Sequence, residues 1–344
     1  MLRSTVVIAL ALLSGCAEPP ASPLLADATP QQQREPVVAP RQYARLDAHV
    51  HLVGDAVDEL LATLDRHAIA QAVVIASPHL DPTHPPPDEQ HFSGWRAAND
   101  RLLVSTAAHR DRLLPFVTVE PAELEPGELD RWLEQGACGV KLYAGHRSLR
   151  ARPLDAPEHA ATFELLEQRG IPVLLHVNTF RYEAELDALL RRYPKLEIVC
   201  AHLCGSRTDL DRLERILRAH PSLRVDTSHG PGQPGIDGFA NLERERERIR
   251  SLIESEPERF LFGSDLVTMV AADPQATRAA WDRQLAANLG LLERERFEFL
   301  RKTGPTNRPS PAEYHGLALD PATLESVLAG NAQRWLRRCH AQHG

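Results

Sequence analysis

The segment Asp47-Ala48-His49-Val50-His51 places two histidines two positions apart. In an extended strand, side chains at positions i and i+2 point to the same face. Both imidazoles could therefore bind one metal ion, while Ala48 and Val50 would pack on the opposite face. A histidine pair of this kind is also compatible with an exposed or hydrogen-bonded couple, so its interpretation depends on which other side chains could join it.

Four further polar residues end later strand-like runs of apolar residues. They are Lys141, His176, His202 and Asp265. If these runs are strands of one parallel barrel, all of these side chains meet His49 and His51 at the carboxyl end of the barrel. Each residue alone could instead bond a loop, and Asp265 could cap a helix. Because such residues end five separate strands, we predict a metal site rather than a coincidence.

The elements that would position these residues alternate along the chain. Short apolar runs alternate with amphipathic helical patterns, which is typical of βα units around a parallel sheet. Eight such units within residues 45–340 predict one (β/α)₈ TIM barrel, and no GxGxxG motif supports a dinucleotide-binding sheet. The predicted strands are Leu46–Leu52, Ala72–Ala76, Leu113–Val119, Gly139–Leu142, Val173–Val177, Glu197–Ala201, Leu223–Thr227 and Phe260–Gly263.

The order of HxH, lysine, two histidines and aspartate resembles the amidohydrolase superfamily of metal-dependent hydrolases. Longer segments are similar to its amidohydrolase-related branch, which also contains the aminocarboxymuconate-semialdehyde decarboxylases. These segments are Ala98-Asn99-Asp100 with Leu113-Leu114-Pro115-Phe116, Gly139-Val140-Lys141-Leu142, Ala201-His202-Leu203-Cys204-Gly205, Val225-Asp226-Thr227-Ser228, Arg259 to Asp265 and Gly330-Asn331-Ala332-Gln333-Arg334. The similarity extends from Leu46 to Leu336.

The resemblance implies a ligand set for a first divalent metal ion: His49, His51, His176 and Asp265. Nitrogen and oxygen donors of this kind suit Zn²⁺, with Mn²⁺, Fe²⁺ and Ni²⁺ as alternatives. A metal lowers the pKa of a bound water from about 15.7 to about 7. Asp265 would accept the proton of that water and later deliver it to the leaving group. His202 would either bind a second metal ion or polarise the substrate carbonyl.

Lys141 distinguishes a site with two metal ions from a site with one. The chain contains 39 lysines and arginines, and only Lys141, Lys195 and Lys302 are lysines. A lysine at the end of the fourth strand therefore indicates a need for a primary amine. An amine can take up CO₂ as a carbamate that bridges two metal ions, and Gly139 to Tyr143 is similar to the carboxylated-lysine segment of dihydroorotases. In the alternative, an unmodified Lys141 holds a substrate carboxylate beside a single metal ion.

Loops after the strands would supply substrate specificity. Four residues in these positions are candidates for substrate contact: Tyr143, Arg147, Asn178 and His229. Arg147 could bind a substrate carboxylate, and the long loop His79–Trp95 could cover the site. The segment Thr268–Asp320 is expected to pack over one side of the barrel, with Asp320-Pro321 starting a helix after it.

Residues 1–15 are predicted to be a lipoprotein signal peptide. Arg3 precedes the apolar run Val6 to Leu13, which is too short to cross a bilayer. The segment Leu13-Ser14-Gly15-Cys16 resembles the bacterial lipobox, in which the cysteine is lipidated; the alternative is an ordinary signal peptide cleaved near Ala17. Residues 16–44 have no apolar period and are predicted to be a flexible tether. A lipid-anchored protein on the periplasmic side follows, at the outer membrane if the cell is Gram-negative.

The net charge of −8 and the absence of a basic stripe disfavour nucleic acid as a partner. Cys138 and Cys200 lie in apolar runs and are interpreted as core thiols. An oxidising compartment would permit a disulfide, but the cysteine spacing does not demonstrate one.

These observations predict an exported metal-dependent hydrolase that cleaves an ester, lactone or amide-type bond of a small organic molecule. The main alternative is a non-oxidative decarboxylase of a small aromatic or unsaturated acid with the same metal ligands. Export favours hydrolysis, because the decarboxylases of the branch serve intracellular aromatic catabolism. A phosphotriesterase-like activity is a third possibility. A lipoprotein that only binds ligands is disfavoured by the complete set of strand-end donors.

Overall fold

A computed structural model of the chain describes residues 44–81, 93–145, 149–230, 238–270, 272–302 and 309–343. The predicted signal peptide with Cys16, the tether up to residue 43, Arg147 and most of the loop His79–Trp95 lie outside these ranges. Within them, no helix has both the length and the apolar character that crossing a membrane requires.

Nine parallel strands form one sheet in the order β8-β7-β6-β5-β4-β3-β2-β1-β9. Their bounds are β1 (Arg45–Leu52), β2 (Ile69–Ala76), β3 (Leu113–Thr118), β4 (Gly139–Ala144), β5 (Val173–Val177), β6 (Ile198–Cys200), β7 (Arg224–Asp226), β8 (Phe260–Leu261) and β9 (Leu266–Val267). The amide of Ala48 in β1 donates to the carbonyl of Phe262, directly after β8, at 2.9 Å. The last and first strands are thus joined, and the predicted (β/α)₈ TIM barrel is confirmed.

The register of β1 differs from the prediction in one respect. Its pairing with β2 shifts between Asp47 and Val50, as in a β-bulge, where one strand carries an extra residue. Ala48 and Val50 consequently do not share a face: they belong to two different clusters of buried apolar side chains. The expectation that both pack opposite the histidines was wrong, because strict alternation fails at a bulge.

Helices connect the strands and cover the sheet. Their bounds are α1 (Val57–Arg66), α2 (Trp95–Thr106), α3 (Glu128–Glu134), α4 (Ala160–Arg169), α5 (Thr179–Arg192), α6 (Ala201–Gly205), α7 (Leu210–Ala219), α8 (Gly238–Arg244), α9 (Arg246–Ser255), α10 (Pro274–Glu293), α11 (Pro321–Glu325), α12 (Asn331–Trp335) and α13 (Arg337–His343). Asp320 caps α11 as predicted, since its side chain accepts hydrogen bonds from the amides of Ala322 and Thr323.

The segment between α10 and α11 contains an antiparallel hairpin of β10 (Arg296–Lys302) and β11 (Pro309–His315). Phe297, Phe299 and Tyr314 are buried in it, and all three rings pack around Phe239 of α8. Together with α10, the hairpin accounts for the length of Thr268–Asp320. A covering segment was predicted there, but its two strands were not.

Two disulfides correct the interpretation of the cysteines as core thiols. Cys138 is bonded to Cys339, and Cys200 is bonded to Cys204. All four residues are buried, as the apolar runs around Cys138 and Cys200 predicted for those two. The pairing was not predicted because one bridge joins residues 201 positions apart and the other closes a turn; sequence alone does not fix such connectivity.

Candidate metal centre

Three donor groups meet at the carboxyl end of β1. His49, His51 and Asp265 each offer one ligand atom, and these atoms lie within 4.8 Å of one another. Asp265 Oδ1 is 3.1 Å from His51 Nε2 and 3.5 Å from His49 Nε2. The amide of Asp265, which lies between β8 and β9, donates to the carbonyl of His49 at 2.9 Å, so the backbone itself holds the carboxylate beside the two imidazoles.

Hydrogen bonds behind His49 determine which of its ring nitrogens faces the site. Asp226 Oδ2 lies 2.8 Å from His49 Nδ1. A carboxylate only accepts, so Nδ1–H donates to it and the lone pair of Nε2 faces inward. Lys141 Nζ lies 3.1 Å from that Nε2 and donates to it. A carboxylate behind an imidazole is the arrangement that orients metal-binding histidines in proteins.

His202 is oriented in the same way by Ser228. The Ser228 hydroxyl donates to Asp226 Oδ1 at 2.6 Å, which leaves its oxygen to accept from His202 Nδ1–H at 2.9 Å. The amide of His202 donates to the same Asp226 oxygen at 2.8 Å. His202 Nε2 therefore carries a lone pair and lies 4.0 Å from Asp265 Oδ2.

Helix α6, which carries His202, is a single turn of left-handed backbone. The φ angles are 59°, 52° and 57° at His202, Leu203 and Cys204, and 66° at Gly205. Left-handed backbone costs an ordinary residue about 1–2 kcal/mol. There is also no space for a side chain at Gly205, because a Cβ there would lie 2.8 Å from the carbonyl oxygen of Val177. The surrounding structure must therefore hold this turn.

Lys141 is fully buried on the inner side of the barrel. Its Nζ lies 5.0 Å from the centroid of the Tyr143 ring, and the Tyr143 hydroxyl is 3.0 Å from Ser77 Oγ. Ser77 Oγ in turn lies 2.7 Å from His51 Nδ1. Burial lowers the pKa of Lys141 to about 8. Lys141 and Tyr143 thus both reach the histidines from β4.

The electrostatics of the site favour neutral imidazoles and an ionised aspartate. Burial lowers the pKa of His49 and of His51, and lowers that of His202 to about 4. Burial alone would raise the pKa of Asp265, but His202, His51 and His49 outweigh it and hold that pKa well below its usual value. Neutral imidazoles and a carboxylate are the forms that bind metal ions.

Of the remaining predicted residues, His176 lies next to this cluster. The ring centroid of His176 is 5.0 Å from that of His202, and Gly145 leaves room for it, since a Cβ there would lie 2.5 Å from the His176 ring. His176 belongs to neither of the two donor groups found within 4.8 Å among the described residues. Asn178 is half-buried directly before α5. The predictions for His176, Asn178 and Arg147 stay predictions.

His229 is fully buried and stacks on Phe239, with ring centroids 4.9 Å apart. Its amide donates to Asn288 Oδ1 at 2.8 Å, and its Nδ1–H donates to the carbonyl of Thr227 at 2.8 Å. The prediction that it contacts substrate at the mouth of the barrel would require it to leave this packing.

The residues that orient the donors were not predicted from the sequence. Asp226 and Ser228 serve His49 and His202, and Ser77 serves His51, as described above. Asp47 Oδ1 accepts from the amides of His49 and Ser264, both at 3.0 Å, and ties β1 to the segment after β8. A signal for Asp226 was present, since it is a lone carboxylate near the end of an apolar strand.

A comparison with protein families identifies the chain. Residues 46–338 match the family described as Amidohydrolase. The protein belongs to this amidohydrolase family. No curated protein matches it.

Solved structures share its fold at low sequence identity. A probable 2-pyrone-4,6-dicarboxylic acid hydrolase from Acinetobacter baumannii, with citric acid bound, has a TM-score of 0.55 at 15% identity, over 85% of this chain and 99% of that one. A zinc-bound amidohydrolase from Burkholderia multivorans has a TM-score of 0.54 at 14% identity, over 86% and 99%. A 5-carboxyvanillate decarboxylase from Sphingomonas paucimobilis has a TM-score of 0.50 at 14% identity, over 86% and 99%. Hydrolases and decarboxylases therefore both use this fold.

Proposed function

We propose that this amidohydrolase is a metal-dependent hydrolase that cleaves an ester, lactone or amide-type bond of a small organic molecule. The observation that carries the proposal is the position of Asp265, whose Oδ1 lies 3.1 Å from His51 Nε2 and 3.5 Å from His49 Nε2. An ionised carboxylate at this place can bind a metal ion and also accept a proton.

The residues fit a divalent ion. Two imidazoles and a carboxylate offer donor atoms within 4.8 Å of one another, and this nitrogen and oxygen set suits Zn²⁺. His49, His51, Asp265 and, in our proposal, His176 would hold it. A bound ion would act as a Lewis acid and lower the pKa of a water molecule toward 7.

Asp265 would serve as general base and then as general acid. Its carboxyl group is ionised at neutral pH, and a carboxylate at this place could accept a proton from the attacking water. Once protonated, it can donate that proton to the departing oxygen or nitrogen. His202 Nε2 faces Asp265 with a lone pair rather than a proton, which supports a role as a metal ligand over a role as hydrogen-bond donor to a substrate carbonyl.

Lys141 supports a second ion in the same site. Carbamate formation requires a neutral amine, and an amine with a pKa of about 8 is neutral in roughly one molecule in ten at pH 7. Nζ lies 3.1 Å from His49 Nε2, so a carbamate on it would add oxygen donors next to the histidines. We propose that a carboxylated Lys141 and His202 hold the second ion. An unmodified Lys141 that binds a substrate carboxylate is the competing assignment.

The test combines metal analysis with a panel of lactones, esters, amides and aromatic acids. We expect bound divalent metal in the purified protein and, in H₂¹⁸O, incorporation of ¹⁸O into the acid product. Release of CO₂, with deuterium from D₂O appearing on the former carboxyl carbon, would instead establish a decarboxylase. Asp265→Asn should abolish turnover, while Asp282→Asn, which changes an exposed carboxylate paired with Arg66, should not.

A further inference from the structure

The disulfide Cys200–Cys204 encloses His202. Cys200 is the last residue of β6, and Cys204 is the third left-handed residue of α6. The two Cα atoms are 4.7 Å apart, and both side chains are fully buried. His202, whose Nε2 faces Asp265, thus lies inside a covalent ring of five residues.

The geometry of this ring limits the conformations that His202 can adopt. Four residues of extended chain span about 13 Å, whereas a disulfide requires Cα atoms about 4.4–6.8 Å apart. As long as the bridge is closed, the chain cannot continue the direction of β6 through His202. Left-handed backbone is unfavourable for His202, Leu203 and Cys204, so without the bridge an extended alternative becomes accessible.

The other contacts of the turn are noncovalent. The Thr179 hydroxyl donates to the carbonyl of Cys204 at 2.6 Å, and the amide of Ser206 donates to the carbonyl of Leu203 at 3.0 Å. The amide and imidazole of His202 are bound to Asp226 and Ser228. These bonds define the orientation of His202 only while the turn itself persists.

We propose that Cys200 and Cys204 are positioning residues, whose disulfide keeps the left-handed turn closed and thereby holds His202 in the metal centre. Formation of the bridge bonds the two sulfur atoms to each other and releases two protons and two electrons. An oxidant that is itself a disulfide accepts them and is reduced to two thiols. This inference rests on the proposed function only in treating His202 as a residue of the site.

The test compares two replacements of the bridge. The variant Cys200→Ala/Cys204→Ala removes it and leaves alanine in left-handed backbone. The variant Cys200→Ala/Cys204→Gly removes it too, but glycine adopts this backbone without steric cost. If the bridge acts through the turn, the glycine variant should resemble the wild type more closely than the alanine variant. If only the buried volume of the sulfur atoms matters, the smaller glycine should be worse.

Two measurements report on the turn and on the site. The first is hydrogen exchange of the His202 amide in metal-free protein, and the second is the Kd for Zn²⁺ from competition with a chelating dye. For the alanine variant we expect exchange at least tenfold faster and at least one zinc Kd about tenfold weaker. For the glycine variant we expect both changes to be smaller than in the alanine variant, because only His202 and Leu203 then remain in unfavourable left-handed backbone. The matched control, Cys138→Ala/Cys339→Ala, should leave the zinc Kd values unchanged.

The proposal is overturned if the alanine variant keeps its exchange rate or its zinc Kd values within twofold of wild type, or if the control weakens zinc binding equally. It is also overturned if the alanine and glycine variants both fail to fold while the control folds, since the bridge would then serve global stability. Should the alanine variant alone fail to fold, near-wild-type zinc binding by the glycine variant supports the proposal. Wild-type protein that binds no zinc would contradict the proposed function, whereas exchange in the metal-free protein still decides the role of the bridge.

Discussion

At the residue scale, the site consists of donors that face inward and of partners that orient them. The donors could be predicted because His49, His51, Lys141, His202 and Asp265 lie at the ends of predicted strands. The resemblance of the sequence to the amidohydrolases supported the same residues. The partners were not predicted, because the bond between His49 and Asp226 joins residues 177 positions apart. Such a pair becomes visible only when β1 and β7 are brought to the same end of the barrel.

Asp226 should be needed for metal binding although it is not among the proposed ligands of the first metal ion. Asp226→Asn removes the carboxylate that accepts hydrogen bonds from His49 Nδ1–H and from the His202 amide. We expect both imidazoles to lose their fixed orientation. Loss of such a partner typically weakens metal affinity about 10- to 100-fold. We expect a loss of that size in the zinc Kd, with Asp282→Asn as the control. An unchanged Kd would show that the backbone alone orients His49.

Replacement of Lys141 should separate its two proposed roles. If Lys141 is carboxylated, metal-free wild type reconstituted with bicarbonate should bind close to two ions per chain, and fewer without bicarbonate. Lys141→Arg should then bind fewer ions and lose turnover. If Lys141 holds a substrate carboxylate, the variant should keep one ion per chain and mainly raise KM. Lys195→Arg changes an exposed lysine and should behave as wild type in every measurement.

At the element scale, the predicted strands agree with β1–β8 to within a few residues, because buried parallel strands are nearly continuous apolar runs. The two-residue strand β9 was not predicted, whereas β8, equally short, was found because it lies in the longer apolar run Phe260 to Gly263. The hairpin β10–β11 was missed although Phe297 and Phe299 alternate with charged residues, which is a strand signal. The bulge in β1 and the left-handed turn α6 depend on tertiary contacts and have no local sequence signature of comparable strength.

The two disulfides should contribute differently to stability. The Cys138–Cys339 bridge joins residues 201 positions apart, and the Cys200–Cys204 bridge residues 4 apart. Chain entropy then predicts about 5 kcal/mol for the long loop and about 2 kcal/mol for the short one. We expect Cys138→Ser/Cys339→Ser to lower Tm by roughly 10 °C, as measured by calorimetry with zinc-free protein. A Tm equal to that of wild type would contradict this expectation.

At the scale of the whole molecule, buried neutral histidines should make the metal-free protein sensitive to acid. Burial, with a further contribution from Arg207, lowers the pKa of His229 to about 3; His202 and Asp226 also face it. The unfolded chain takes up a proton at His229 near pH 6.5, and the folded chain does not, so stability falls as the pH falls from 6.5 toward 3. For His229 alone, the loss between pH 7 and pH 5 is about 2 kcal/mol.

Urea unfolding of His229→Leu and wild type at both pH values checks this. The variant should lose about 2 kcal/mol less than wild type when the pH is lowered from 7 to 5, whatever its stability at pH 7. An equal loss in both proteins would mean that His229 is protonated in the folded state.

We also propose that the protein is exported and anchored through lipid on Cys16. A single acyl chain binds membranes only marginally, and several chains bind stably. Wild-type protein should therefore fractionate with membranes, and Cys16→Ala should be released or remain unprocessed. Soluble wild-type protein would exclude the anchor without affecting the assignment of the barrel.

The Cys138–Cys339 bridge has a topological consequence. It turns most of the barrel, from the start of β4 to α13, into one covalent macrocycle. A protease cut anywhere between these two cysteines opens the macrocycle but releases no fragment. On a denaturing gel, the nicked chain should migrate as one species until a reductant separates the pieces.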